Sequence, residues 1–484
     1  MRLLLLCVLP LFGALAAAVL PGARTRVGAV AAARLALLVG VALVHIALVA
    51  SLWIAPEGPT LGGWFAADAL GLLVLTLTSV LFLLTALYTV GYLQRETPRG
   101  GRFFVSALLG FLAATTLVSL SQHLAMLWVG MEATTLSVAP LIYHRHDRRS
   151  LEAVWKYLLI SSVGIALALL GTFFLASAQG DGLGRPLVLP DLISNARMLH
   201  PAWLRAAFLF LLVGFGTKMG LAPMHTWKPD TYGEAPSLVS GLMAGALTSC
   251  AFLGVARITE VVMAAGLGGF AQPVLIGFGL LSLVVAAAFV IGQSDVKRLL
   301  AYSSVEHMGL LVLGIGLGGV GAYGSVLHVL NNGLTKAWMF LTVGNVVLAS
   351  GSSVAAASRG LLRRLPVSGT LLVLGLFAVT GSPPFGTFLS EFTIVRAAIN
   401  GQHVWIAVTM LLLLAVIFVG MAAMVLEMAL GSPVPDAPPE HESGWLVVGP
   451  VVLAVVVLML GVYIPAPLHD ALTRAAVALG GIAP

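Results

Sequence analysis

Six ionisable side chains interrupt long apolar runs in this chain: Glu132, Lys218, His307, His328, Lys336 and Glu391. A charged group in the middle of a bilayer costs about 3 kcal/mol on insertion scales, so each needs a partner or a way to become neutral. Desolvation lowers the pKa of a buried lysine and raises that of a buried carboxylic acid, which brings both towards neutral pH, where protons are exchanged. The choice of basic residue fits this chemistry. Only five of the 25 lysines and arginines are lysines, namely Lys156, Lys218, Lys228, Lys297 and Lys336. Arginine keeps its proton in a protein, whereas a buried lysine can release it. An opposite charge about 4 Å away is worth roughly 4 kcal/mol at an effective dielectric near 20. Movement of Glu132 towards or away from Lys218 would therefore switch that amine between holding and releasing a proton.

His328, Asn332 and Lys336 stand at i, i+4 and i+8, a single polar stripe on a helix. With His307 and Glu391 they would form a chain of titratable groups, although either histidine alone also fits a satisfied core residue. Lys336 and Glu391 also fit a structural ion pair. Lys156 follows Glu152 by four residues, so it is either a surface pair or a group facing Glu132. His225, Lys228, Asp230 and Glu234 form either an exit funnel or a solvated loop. His144 and His146 flank Arg145 without a metal-ligand spacing. The chain has no phosphate loop, dinucleotide fingerprint, CxxC or haem-attachment motif, and the expectation is no cofactor, no metal and no redox chemistry of its own.

The elements that carry these groups are membrane spans. Of 484 residues, 59% are hydrophobic and 9% charged. That excludes a water-soluble globule, which carries roughly a quarter charged residues, and a disordered chain. Cys7 and Cys250 lie far apart in apolar stretches and make no disulfide framework. The net charge of +6 comes from short basic clusters between apolar runs, which set membrane topology, so nucleic acid is not a partner. A spanning helix needs about 20 mostly apolar residues. Fourteen segments qualify, at 2–20, 28–53, 64–92, 103–120, 122–143, 154–177, 203–222, 236–263, 271–291, 299–316, 320–349, 369–398, 403–428 and 444–464. The first could be a cleavable signal peptide. Arg24, Arg26, Arg95, Arg99, Arg102, Arg145, Arg148, Arg149, Lys297, Arg298, Arg359, Arg363 and Arg364 share one loop parity, however. Setting them in the cytoplasm keeps segment one as a helix and puts both termini outside. The acidic loop from Asp436 to Glu442 shares that side, and acidic residues count little in this rule.

Glu132 and His307 are 175 residues apart and Lys218 and Glu391 are 173 apart. Five segments separate each pair, so segments four to eight would repeat as nine to thirteen, inverted because the number is odd. Segments seven and twelve are broken at Lys218-Met-Gly-Leu-Ala-Pro223 and Gly381-Ser-Pro-Pro384-Phe-Gly386. Such breaks must face protein or a wet cavity, although a proline kink without function also fits.

The stretches LWVGMEATTLSVAPL, AVWKYLLISSVG, GTKMGLAPMHTWKPDTYGEAPSLVSGLMAGAL, SDVKRLLAYSSVEHMGLLVLGIG, HVLNNGLTKAWMFLTVGN and GSPPFGTFLSEF resemble the antiporter-like proton-channel subunits of respiratory complex I and group 4 [NiFe] hydrogenases. HVLNNGLTKAWMF with GALTSCAF looks most like the F component of hydrogenase-4-type complexes. The resemblance covers roughly residues 100 to 400. It implies an all-α polytopic fold of about 14 transmembrane helices, with two inverted five-helix repeats and discontinuous helices 7 and 12. By resemblance Glu132 is the coupling glutamate, Lys218 the central lysine, Lys336 the second-half lysine and Glu391 the helix-twelve residue facing the exit. Many members carry Lys or His in the first half of helix eight. Here that region reads Leu247-Thr248-Ser249-Cys250, so the link between halves would need water held by Thr248 and Ser249. Lys228 stands where many relatives have an apolar residue, and the long C-terminal lateral helix of one complex I member is absent.

The expected organisation is residues 1–100 (helices 1–3), 101–265 (first bundle, helices 4–8), 266–430 (second bundle, helices 9–13) and 431–484 (helix 14 and tail). The expected function is proton translocation as a multi-pass inner (plasma) membrane subunit, not an enzyme by itself, in a complex with other membrane subunits and a peripheral redox arm. Glu132, Lys218, His307, His328, Lys336 and Glu391 would form the relay, with Lys156, His225 and Ser249 as auxiliaries. The alternatives are a component of a Na+/H+ antiporter, with sodium as the transported ion, and a structural anchor whose buried charges are fixed ion pairs.

Overall fold

A computed structural model describes residues 1–20, 27–96, 101–180, 186–432 and 442–482. Arg24, Arg26, Arg99 and residues 436–441 of the acidic loop lie outside the described residues, as does the side chain of Arg102. The chain is helical almost throughout. The first half contains α1 (Arg2–Val19), α2 (Val27–Ile54), α3 (Ala69–Arg95), α4 (Gly101–Leu120), α5 (Leu124–Ile142), α6 (Arg148–Ala178) and the short α7 (Leu189–Ser194). It continues through α8 (Pro201–Met219), α9 (Trp227–Glu234) and α10 (Ser237–Leu242), which passes through a π-turn into α11 (Thr248–Ala264). The second half contains α12 (Gly268–Val290), α13 (Val296–Leu317), α14 (Val320–Ser350), α15 (Leu361–Arg364), α16 (Pro366–Val379), α17 (Gly386–Asn400) and α18 (Val404–Leu430). Two helices close the chain, α19 (Gly444–Val462) and α20 (Ala466–Ala478).

Twelve helices among the described residues are long and apolar enough to cross a membrane, or thirteen if the bent pair that includes α16 is one span. The chain is a multi-pass membrane protein. The two further segments read from the sequence carry His328, Lys336 and Glu391. α14 has 31 residues, but its polar stripe lowers its hydropathy, and it is buried inside the protein instead of facing lipid. α16 and α17 have 14 and 15 residues, each too short to cross alone at 1.5 Å per residue. Together they form the broken segment expected at Gly381–Gly386.

At both breaks protein side chains satisfy part of the freed backbone, while Pro223, Pro383 and Pro384 stay exposed. Across the first, Trp227 Nε1 of α9 donates to the Thr217 carbonyl of α8 at 2.8 Å. Across the second, Asn331 Nδ2 of α14 donates to the Gly386 carbonyl at 2.7 Å, and the Thr387 hydroxyl donates to the Ala378 carbonyl. Gly220 and Gly381 take left-handed φ of 78° and 62° at the two turns, a conformation that glycine adopts without a Cβ penalty.

The two halves repeat, but not at one constant spacing. His123 and Asp295 cap α5 and α13, 172 positions apart, and each bridges to a later segment, at Val188 and Val354. Asp147 and Gly319 precede α6 and α14 at the same spacing. The break glycines Gly220 and Gly381 are only 161 apart, because the connection before α8 and α8 itself are longer than their counterparts. This corrects the residue pairing read from the sequence. His307 sits one turn beyond the equivalent of Glu132. Lys218 precedes its break, whereas Glu391 follows the other. The charges therefore are not repeat mates, although the segments that hold them correspond, α5 with α13 and the broken α8–α9 with the broken α16–α17.

Candidate functional site

Lys218 occupies the last turn of α8 and is fully buried. Its Nζ donates to Thr135 Oγ1 at 2.7 Å and to Tyr157 Oη at 2.9 Å, and lies 4.7 Å from the Tyr157 ring centre. Two hydrogen bonds to a charged group, at about 1.5–3 kcal/mol each, offset an insertion cost of about 3 kcal/mol. Thr135 in turn donates to Glu132 Oε2 at 3.2 Å. Glu132 and Lys218 are thus joined through a hydroxyl and are not in direct contact. Thr135 lies three residues after Glu132, so both face Lys218 from one side of α5. Neither Thr135 nor Tyr157 was legible in the sequence, since a hydroxyl or phenol in a span usually carries no special signal.

The second half holds a matching arrangement. Lys336 in α14 is fully buried, and its Nζ donates to Ser303 Oγ of α13 at 2.7 Å. Ser303 donates to Glu306 Oε2 at 3.2 Å. Glu306 is buried and lies inside a span, and the sequence reading passes over it. The signal was available: a carboxylate next to His307 in an apolar run. Arg257 and Glu260 in α11 and His45 in α2 are missed in the same way. Arg257 is structural, with Nη2 3.0 Å from Asp68 Oδ1 and 3.2 Å from the Ser119 carbonyl. His45 is held between Thr116 and Ser79 at 2.9 Å each.

His307, His328 and Glu391 come together as expected. His307 Nδ1 is 3.0 Å from His328 Nε2 and 3.9 Å from Glu391 Oε1, and His328 Nδ1 is 2.8 Å from Ser390 Oγ. Ser390 donates its own proton to the Thr387 carbonyl at 2.9 Å. A single proton is shared between His307 Nδ1 and His328 Nε2, and Ser390 Oγ completes the contact at His328 Nδ1. His307 Nε2, Glu391 Oε1 and both polar side-chain atoms of Asn332 have no protein partner, so the cluster keeps hydrogen-bonding capacity. The donor atoms of His307, His328 and Glu391 lie within 4.8 Å of one another, close enough to reach one metal ion. The histidine pair already uses Nδ1 and Nε2 for each other.

The auxiliaries divide. Lys156 reaches Glu152 at 2.7 Å and Asp230 at 2.8 Å, and Arg298 reaches Asp230 at 3.1 Å. Of the two readings for Lys156, the structure has the surface pair with Glu152, extended by Asp230 into a network that lines a polar cleft of about 650 Å³ with Arg149 and Asp295. The segment from His225 to Glu234 is not a solvated loop. It is mostly the helix α9, with Lys228 buried and the His225 ring tilted against Phe289 and Tyr302 at 6.5 and 6.4 Å. Thr248 and Ser249 each donate to a carbonyl of their own helix at 2.6 Å. Lys297 is no loop residue either: it is buried in α13, and its Nζ donates to the Gly233 and Ala235 carbonyls at 2.8 and 2.5 Å, capping α9.

Residues 121–418 match the family model described as NADH:quinone oxidoreductase/Mrp antiporter, TM. The chain belongs to this NADH:quinone oxidoreductase/Mrp antiporter family. The matched region contains all six expected relay residues and both breaks. Among the family's relatives, a hydrogenase-4 component F homolog of Methylacidiphilum infernorum is 35% identical over 364 residues, covering 73% of this chain and 76% of the relative. NADH-quinone oxidoreductase subunit N of Moorella thermoacetica is 30% identical over 427 residues, covering 87% of each. A chain of the membrane-bound sulfane sulfur reductase, an archaeal respiratory membrane complex, superposes with a TM-score of 0.88 at 23% identity, over 99% of this chain and 98% of that one. That likeness establishes the shared fold.

Proposed function

We propose that this family member is a proton-translocating membrane subunit of a multi-subunit, redox-driven complex of the membrane-bound hydrogenase or complex I type. The observation that carries this reading is the arrangement common to both halves: a buried lysine hydrogen-bonded to a hydroxyl that is itself hydrogen-bonded to a carboxylate. Each is a short path along which a proton moves when the charge balance changes. In the first half Glu132 and Lys218 form the switch. In the second, Lys336, His307, His328 and Glu391 carry the proton on, with Ser390 orienting the histidine pair. Partner membrane subunits and a peripheral redox arm supply the drive, and this chain performs no redox step.

The units we assign are residues 1–100, 101–265, 266–430 and 431–484, with the second and third as inverted bundles. We place the chain in the inner (plasma) membrane with both termini on the outer side. The described basic residues support that orientation: Arg145 and Arg149 share a cleft with the turn at residues 352–354, so loops of one parity meet on one side. The polar cleft at Asp230 and Lys156 opens on that face and serves as the proton entry.

The test is reconstitution of the complex, purified by a tag on this chain, into liposomes containing a pH-sensitive dye. Redox turnover is expected to acidify or alkalinise the lumen according to orientation, at a rate unchanged when sodium is replaced by choline. Turnover without a pH change would overturn the proposal, and strict dependence on sodium would favour the antiporter reading.

A further inference from the structure

Lys228 has no role in the relay described so far, yet it is one of the largest fully buried side chains in the protein. Among the described residues no carboxylate lies within ion-pair distance of it. Its Nζ donates to Ser304 Oγ of α13 at 3.0 Å and lies 5.9 Å from the Tyr232 ring centre. The stem passes directly over the break that follows Lys218. A Cβ on Gly220 would lie 2.2 Å from Lys228 Cε and 2.9 Å from Nζ, so the glycine leaves room for this side chain. The far end of Lys228 reaches the second half. Ser304 adjoins Ser303, the hydroxyl that accepts from Lys336 and donates to Glu306. Two amines from different halves thus end on neighbouring serines of one helix, with Glu306 as the adjacent carboxylate. On the other candidate connection, through α11, the hydroxyls of Thr248 and Ser249 donate to their own backbone, whereas Ser303 and Ser304 each accept from a buried amine.

We infer that Lys228 is the bridge between the two halves, passing a proton from the Lys218 side to Lys336 across the Ser304–Ser303 pair, with Glu306, joined to Lys336 through Ser303, balancing the charge once Lys336 holds it. This rests on the proton-translocating reading above. Two ammonium groups ending on neighbouring serines repel each other, which disfavours double protonation, so the proton is held by one amine at a time. In each transfer the Lys228 ammonium becomes a neutral amine and the Lys336 amine becomes an ammonium. Each serine gives up one proton as it takes another, so nothing else changes.

The experiment uses the complete complex in dye-loaded liposomes, with Lys218→Met as the reference variant. Lys228→Met and Lys228→Arg are each expected to lower redox-driven proton uptake by about tenfold or more, the scale of losing a positioned proton-transfer group. The arginine variant retains the charge but cannot release it, so it separates proton transfer from packing. Ser304→Ala tests the bridge with the lysine in place: uptake is expected to fall several-fold and to recover in Ser304→Thr. Wild-type uptake in Lys228→Arg or Ser304→Ala, while Lys218→Met is silent, overturns the bridge and leaves the broader reading standing. Wild-type uptake in Lys218→Met as well overturns both.

Discussion

Replacing Lys218 with methionine is expected to abolish redox-driven proton uptake, by about a hundredfold or more given what a positioned acid–base group contributes, while the chain stays in the membrane at its normal level. Methionine keeps a long unbranched stem in the buried site and removes only the titratable end. Thr135 retains other partners, because its hydroxyl also lies within hydrogen-bond reach of the Met131 carbonyl and of Glu132. Packing is therefore largely preserved and the function is lost. Lys218→Arg is expected to be as inactive, since a permanent charge at this position satisfies Thr135 and Tyr157 but holds no exchangeable proton. Vesicle pH traces of both variants, with membrane abundance measured on the same preparations, check this. Normal uptake in the arginine variant would mean that Lys218 supplies only charge.

The second large effect is expected at Gly381, which makes no contact a sequence reader would notice. Its φ is 62°, and a Cβ there would lie 1.9 Å from Glu391 Oε2 and 3.0 Å from Oε1. Gly381→Ala must push the carboxylate away from its place 3.9 Å from His307, and it also carries the left-handed backbone penalty of about 1–2 kcal/mol. Gly351→Ala separates the two effects. Gly351 has φ of 71° but nothing within 4 Å of its would-be Cβ, so that variant bears the backbone penalty alone. Proton uptake is expected to fall at least about tenfold in Gly381→Ala and to remain near wild type in Gly351→Ala. Equal uptake in the two variants would show that the position of Glu391 does not matter.

Much of this site was legible in the sequence because a charge in an apolar run is conspicuous. Lys218, Lys336 and Glu391 stand out in that way, and the i, i+4, i+8 stripe correctly places His328 and Lys336 on one buried helix. What connects them was not legible. Thr135, Tyr157 and Ser303 are residue types that occur throughout membrane helices, where most hydroxyls simply bond the carbonyl four residues back, as Thr248 and Ser249 do here. Only the packing of α5 and α6 against α8, and of α13 against α14, turns these three towards lysines. The repeat was legible as two broken segments in matching halves. Its register was not, because the longer connection before α8 shifts the spacing from 172 to 161 and residue pairs chosen at a constant offset fall out of step. Glu306 is a different case: it was in plain view beside His307, and a complete census of charges within spans would have included it.

The central claim is that the Glu132 carboxylate controls the proton on Lys218 by moving relative to it. Cryo-electron microscopy of the assembled complex under turnover, at a resolution that shows ordered water, tests it most directly. Two populations are expected, one with Glu132 in contact with the Lys218 amine and one with the carboxylate withdrawn and water reaching the nitrogen. A single population in which Thr135 always separates the two groups and the amine stays dry would contradict it.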